Sequence, residues 1–301
     1  MKSKLRKSML SVVMPVYNSK DYIAEAILSM LNQTFQDFEL IIVDDASTDN
    51  TVEIIKKYQA KNPKIKLIQL SVNQNCGGDK CANTGLRLAR GKYIARMDAD
   101  DVARPTRFEK QIKFLEENPQ VFLVGSNADV INKKGILLGE KKEPLNSDEI
   151  YNAYFGFNPL IHPTCTFRRV LKKGLPFSYE IKYSANNDYY TFFKLICQGY
   201  KFVNLEEKLL KYRIHNHNAT FVNMKQKFVN SLKIRLVMVK DHKYRPSIKN
   251  IAMLFAQSGV VMILPERILL KIYFVAKGII RKEDIVRSFS LPALKSILAF
   301  R

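Results

Sequence analysis

Residues Phe38-Glu39-Leu40-Ile41-Ile42-Val43-Asp44-Asp45 read as a buried strand that stops on two acids. Branched and aromatic side chains favour the pleated backbone, and the carboxylates end the apolar run. Ser47-Thr48-Asp49-Asn50 follows and supplies an N-cap for a helix over Thr51 to Gln59. The same unit recurs on both sides. Upstream, Leu10-Ser11-Val12-Val13-Met14 is a strand ended by Pro15, and Asp21 to Gln33 puts Ile23, Ile27, Met30 and Leu31 on one helical face. Downstream, Ile65 to Leu70 and Lys92 to Met97 are strands with a helix over Cys81 to Ala89 between them. Strands separated by helices of ~10–15 residues imply a parallel sheet with crossover helices, hence an α/β fold.

In such sheets ligands bind beyond the carboxyl ends of the strands. Three of those ends carry polar clusters: Val16-Tyr17-Asn18, Asp44-Asp45 and Asp98-Ala99-Asp100-Asp101. A lone Asp-x-Asp is ordinarily a solvated turn, but three clusters at three strand ends point to a site. Asp98 and Asp100 can present oxygens to one hard cation, Mg²⁺ or Mn²⁺. No Gly-x-Gly-x-x-Gly follows the first strand and no Walker lysine motif occurs, which removes support for dinucleotide binding and P-loop hydrolysis. Gly77-Gly78 after the third strand is a turn signal that could let backbone approach a phosphate.

The chain has 301 residues, with 49 Lys and Arg against 28 Asp and Glu, a net charge of +21. Hydrophobic residues at 47% and charged residues at 26% exclude disorder as the main state. Four cysteines without regular spacing exclude a disulfide scaffold or a zinc ribbon and fit a reducing compartment. Met1 to Ser8 is basic, but the apolar run Met9 to Val16 contains Pro15 and leads to Tyr17-Asn18 without a cleavage site, so a cytosolic N-terminus is expected. Ile251 to Leu264 and Ile268 to Ile280 fall short of the ~20 apolar residues that a spanning helix needs.

Ser11 to Asn18, Gln33-Thr34-Phe35, Phe38 to Asp49, Asn83-Thr84-Gly85 and Gly91 to Asp101, with Pro105 and Arg107, match in order and spacing the family 2 inverting glycosyltransferases of the GT-A fold. The chain resembles that family over residues ~9–215. The resemblance implies a mixed, mostly parallel central sheet flanked by helices. It implies a catalytic domain over residues 1–224, with a nucleotide-sugar half (about 9–125) and an acceptor half (about 126–224). Val16 and Tyr17 would pack around the nucleotide base and Asp45 would hydrogen-bond uracil. Pro15, Asn18, Asn83, Arg96 and Ala99 would complete the nucleotide-sugar pocket. Asp98 would contact ribose or metal, and Asp100 would hold Mn²⁺ or Mg²⁺ on the sugar diphosphate.

An inverting displacement also needs a base for the acceptor hydroxyl. In Asn186-Asn187-Asp188-Tyr189, Asp188 matches the family's base, while Asn187 stands where an acid is common. Outside catalysis, Asp188 could instead cap the helix beginning near Tyr189. Many relatives have Arg immediately before Asn83, where this chain has Ala82, so Lys80, Arg87 or Arg96 would supply that charge. Asn158-Pro159-Leu160-Ile161-His162-Pro163-Thr164 resembles the acceptor-side loop, and Tyr212-Arg213-Ile214-His215 the end of the catalytic domain. His162, Asn187 and His215 are the acceptor-side candidates, with His217 offering a surface-loop reading for its neighbour.

Residues 225–301 hold 16 Lys and Arg against 4 Asp and Glu, interleaved with apolar runs. Basic amphipathic helices lie on anionic membranes, each cation adding ~1 kcal/mol. The competing reading packs this helical extension on the catalytic domain or on a second subunit, giving a homodimer. The expected protein is a metal-dependent hexosyltransferase, peripheral on the inner face of a bacterial plasma membrane. It moves a hexose or N-acetylhexosamine from a UDP-sugar to a hydroxyl of a lipid-diphosphate-linked glycan of O-antigen or capsule type. No nucleic-acid partner is expected. The rival readings are a nucleotidylyltransferase of related fold and a basic nucleic-acid-binding protein.

Overall fold

The computed structural model describes residues 8–75, 78–215, 218 and 223–276. The basic N-terminal residues before Ser8, Gly77 of the Gly-Gly turn, His217 and the chain from Lys277 onward lie outside the described residues.

The first half builds four parallel strands, β1 (Leu10–Val16), β2 (Phe38–Asp44), β3 (Ile65–Gln69) and β4 (Tyr93–Arg96). Helices α1 (Ile23–Leu31), α2 (Thr51–Gln59) and α3 (Asp79–Leu88) connect them. Side chains of β1 and β2 alternate between two apolar layers. Leu10, Val12, Met14, Leu40 and Ile42 face a layer containing Ile23 and Ile27 of α1, whereas Val13, Ile41 and Val43 face one containing Cys81, Ala82 and Leu86 of α3. Burial on both faces explains why these strands read as continuous apolar runs.

Two local expectations are corrected. β1 does not end before Pro15; it runs to Val16, with Pro15 in register with Val43. The Val13 carbonyl accepts from Met97 on the β4 side and the Val16 carbonyl from Asp45 on the β2 side. By alternation the missing N–H of Pro15 faces the β4 side, past the last β4 pair (Val13 with Arg96), so no ladder bond is lost. At α2, Asn50 occupies the N-cap without a side-chain bond, and Asp49 Oδ1 instead accepts from Thr51 N at 3.0 Å.

Beyond β4 the sheet becomes mixed. The elements are β5 (Val102–Ala103), α4 (Arg107–Glu117), β6 (Val121–Asn132), β7 (Leu137–Lys141), α5 (Ser147–Ala153), β8 (Thr166–Arg168), α6 (Asn187–Cys197) and β9 (Lys201–Ile214). The strand order is β3-β2-β1-β4-β8-β6-β9-β5, with β7 on β6. β8 runs antiparallel to β4 and β6, and β9 runs parallel to β6 with irregular register near Ser126 to Ala128. β5 pairs with β9 at Val102 and Lys211, which brings the end of β9 back to the acids after β4.

The extension forms α7 (Met224–His242), α8 (Ile248–Ile263) and α9 (Glu266–Ala276). α7 buries Ile234 and Met238 in the same apolar cluster as Tyr189 and Phe193 of α6. Buried Arg235 donates to the Gly156 carbonyl at 2.6 Å and the Tyr189 hydroxyl at 3.3 Å. This apolar face of α7 is therefore covered by the rest of the chain. α8 differs: Phe255 is 73% exposed and Met262 and Ile263 are each 80% exposed.

Candidate active site

Asp98, Asp100 and Asp101 leave the end of β4 with carboxylate oxygens within 4.8 Å of one another. Arg96, the last residue of β4 and nearly fully buried, places Nη2 2.8 Å from Asp98 Oδ1 and donates from Nη1 to the Met97 carbonyl. Asp100 Oδ2 lies 2.8 Å from His215 Nε2 and accepts from Asn218 Nδ2 at 3.2 Å. The His215 ring stacks on Tyr22 with centroids 4.9 Å apart. Asp101 Oδ1 accepts from Arg213 N at 2.8 Å, while its buried Oδ2 has no hydrogen-bond partner among the described residues.

Burial, then repulsion from Asp100 and Asp98, pushes the Asp101 carboxyl well above the usual carboxylate range. Burial also raises Asp98, against the pull of Arg96. A carboxylate cluster of this kind is costly by itself and is relieved by a cation. Its donors are all oxygens, and one buried oxygen is orphaned, so the residues fit Mg²⁺ or Mn²⁺.

The nucleotide-side candidates gather over the ends of β1 and β2. Val16 is buried and Tyr17 is half exposed. Asn18 takes a left-handed backbone (φ 45°), donates from its N–H to Ser47 Oγ at 2.9 Å and accepts from Thr48 N at 2.8 Å, which ties the two turns together. Asp45 is buried, which raises its carboxyl, and Oδ1 accepts from Gln74 N at 2.9 Å. Ala99 is buried beside the acids. Gly78 (φ +89°) closes over the site: a Cβ there would lie 3.5 Å from Arg96 Nη2 and 3.6 Å from Pro15 Cγ. Of the cations offered in place of an arginine at Ala82, Arg96 stands among the acids. Arg87 is exposed and donates to Thr84 Oγ1, and exposed Lys80 pulls the Asp45 carboxyl downward.

On the acceptor side, Asp188 occupies the first turn of α6, whose N-cap position is Asn186, so Asp188 is not the cap. Its Oδ2 accepts from Asn158 Nδ2 at 3.1 Å and lies 3.8 Å from His162 Nδ1. Burial first, and then Arg96, holds His162 well below the usual histidine range, so the ring is neutral near pH 7 and this contact is not an ion pair. His162 Nε2 meets the Tyr179 hydroxyl at 2.8 Å.

Two residues expected at the site are turned into the protein. The Asn83 amide clamps the Tyr179 backbone, donating to its carbonyl and accepting from its N–H at 2.8 Å each. Asn187 is fully buried, and its Oδ1 accepts from Lys182 N at 3.0 Å and Tyr183 N at 2.9 Å. Each holds the loop beside the site. Sequence reasoning passed over Asp79, buried at the start of α3, where burial first and Asp188 next raise its carboxyl. It also passed over Arg213, which threads Glu25, the Asp100 carbonyl and Asp101 together. The one available signal for Asp79 was an acid directly after the Gly-Gly turn.

The model of the family described as Glycosyl transferase family 2 matches residues 11–174, more than half of the chain. The chain belongs to that family. This glycosyltransferase is 38% identical over 229 residues to an uncharacterized glycosyltransferase of Methanocaldococcus jannaschii, covering 75% of this chain and 78% of the relative. It is 33% identical over 219 residues to the O-antigen biosynthesis glycosyltransferase WbnJ of Escherichia coli, covering 70% of this chain and 82% of WbnJ. Among solved structures it resembles S. aureus TarS in complex with UDP, with a TM-score of 0.55 and 24% identity, covering 73% of this chain and 64% of that one. The architecture is the GT-A fold, as the sequence implied. Membership of the family displaces both rival readings.

Proposed function

We propose that this glycosyltransferase transfers a hexose or N-acetylhexosamine, with inversion, from a UDP-sugar to a hydroxyl of a lipid-diphosphate-linked surface glycan. The observation that carries the reading is the meeting, over the strand ends, of the Asp98–Asp100–Asp101 cluster with Asp188 from α6, both within electrostatic reach of Arg96. Likeness to UDP-bound TarS supports a UDP donor, and likeness to WbnJ supports a surface-glycan acceptor.

Val16, Tyr17 and Asp45 receive the base, and Asp98, Asp100 and Asp101 would hold Mn²⁺ or Mg²⁺. The ion supplies positive charge against the departing diphosphate. Arg96 fixes Asp98 in place, and His215 fixes Asp100. Asp188 Oδ2 takes the proton of the acceptor hydroxyl, with Asn158 orienting the carboxylate and the neutral His162 ring beside it. Residues 1–224 act as the catalytic domain. In the extension 225–301, the exposed apolar residues of α8 and the basic charge support peripheral membrane attachment; no helix among the described residues is long and apolar enough to cross a membrane.

The test is UDP release from a panel of UDP-sugars with Mn²⁺. Turnover of at least one donor by the native chain, with a loss of about 100-fold or more in Asp100→Ala, is expected. Equal rates in the two proteins would sink the reading.

A further inference from the structure

A cavity of about 430 Å³, within the size range of small-ligand sites, lies against the loop that leads into Asp188. It opens between the loop before α6, residues 182–185, and the first turns of α7. Lys182, Lys227 and Lys233 line it together with the amides of Asn223, Gln226 and Asn230, and no carboxylate is among the described lining residues. The two walls are tied to each other: Asn230 Nδ2 donates to the Ser184 carbonyl at 3.3 Å, and Asn186 Nδ2 to Ser231 Oγ at 3.2 Å.

The lining suits this cavity to a multiply charged oxyanion. Lys227 and Lys233, with Lys182 shared with Glu180 Oε2 at 3.5 Å, supply the positive charge and hydrogen-bond donors that phosphate oxygens require. The N-terminus of α7 borders it at Asn223, but that helix end is already satisfied by a carboxylate, since the Lys225 N–H donates to Glu266 Oε1 at 3.2 Å, so the anion attraction rests on the lysines. Two of the six described non-glycine residues with positive φ also border it. Ala185 (φ 61°) and Asn223 (φ 54°) line opposite walls in the left-handed region, where non-glycine residues are held only by surrounding structure and which is frequent at ligand sites. Lys227 joins the cavity to the chemistry, since Asp188 is near enough to pull its pKa upward against the burial that lowers it.

We propose that this cavity is an acceptor subsite that binds the phosphate or diphosphate group of the acceptor, placing the hydroxyl that reacts at Asp188. The proposal rests on the glycosyltransferase reading for the role of Asp188, but the anion site itself stands on its own residues. It gives the basic extension a function inside the site, because one whole wall comes from α7. Lys227 and Lys233 are positioning residues: they touch the acceptor's phosphate, not the reacting atoms.

The probe is inorganic pyrophosphate, titrated calorimetrically into the full chain in EDTA, so that the carboxylate cluster carries no cation and repels the ligand. Saturable binding at one site is expected, weakened about tenfold by Lys227→Gln or by Lys233→Gln, the loss of one charge-assisted contact. Both side chains reach solvent, so folding is expected to survive, as thermal melting checks. Absence of binding to the native chain, or equal affinity in the double variant, overturns the proposal. Vesicles of phosphatidylglycerol form a second arm: the double variant is expected to bind them like the native chain, and a parallel loss would show a general basic surface instead of a subsite. UDP binding with Mn²⁺ is measured alongside. Its failure in the native chain strikes the donor reading and leaves the pyrophosphate result standing.

Discussion

His215 Nε2 lies 2.8 Å from Asp100 Oδ2, across a sequence separation of 115 residues. The contact joins the end of β9 to the acids after β4, and the ring is held between that carboxylate and Tyr22. A group that fixes a ligating carboxylate typically changes metal affinity by about 10–100-fold when removed. His215→Ala is expected to weaken Mn²⁺ binding by about that factor while shifting the melting temperature little. Metal titration followed by UDP release measures the first effect, and unchanged affinity would remove His215 from the site.

Asp188→Asn keeps the size and the contact with Asn158 but cannot accept the hydroxyl proton. Transfer is expected to fall by about 10²–10⁴-fold, the usual range for removing a general base. UDP affinity should remain, because the nucleotide end is built by other strands. Joint loss of both would identify Asp188 as structural.

Gly85 seats α3 on the sheet. A Cβ there would lie 2.8 Å from Val13 Cγ1 and 3.2 Å from Val43 Cγ2. Alanine favours a helix by roughly 1 kcal/mol over glycine, but both neighbours are stiff, branched and buried, and overpacking costs about 1–3 kcal/mol. Gly85→Ala is therefore expected to destabilise, as a lower urea midpoint, and a raised midpoint would refute the contact.

Glu39 supports acid stability. Burial alone would raise its carboxyl, but bonds from Lys66 Nζ and Ser11 Oγ, both 2.6 Å, and from Arg90 N outweigh this and hold it below the usual range. A depressed folded pKa contributes stability that is full above the unfolded value near 4.5 and is lost as pH falls through the lower folded value. The native chain should lose stability in that acid window, and Glu39→Gln, lower at neutral pH, should show a flatter profile there. Parallel profiles would contradict the assignment.

Much of the nucleotide half was legible because its signals are local. Branched apolar runs gave β1 to β4 within a residue or two, helical spacing gave α1, and the polar run Ser47 to Asn50 marked the start of α2. Pro15 misled, since a proline ends a strand only where its missing N–H faces a neighbour, and β4 stops short of it. The sequence also showed Asn83 and Asn187 as polar residues at motif positions, but could not show that their amides are spent on the Tyr179, Lys182 and Tyr183 backbones. Asp79 was hidden for the same reason: its proximity to Asp188 depends on a helix and a loop that meet only in the folded chain.

The sequence by itself determined the strand-helix alternation, the acids at three strand ends and the family, because periodicity and motif spacing are properties of contiguous residues. Tertiary structure alone decided which groups face one another. It returned His215 and Arg213 to the acid cluster through the β5–β9 pairing, neutralised His162 by burial, and split the basic extension into a packed α7 and an exposed α8. Those outcomes depend on distance and desolvation, which are set by contacts between residues far apart along the chain.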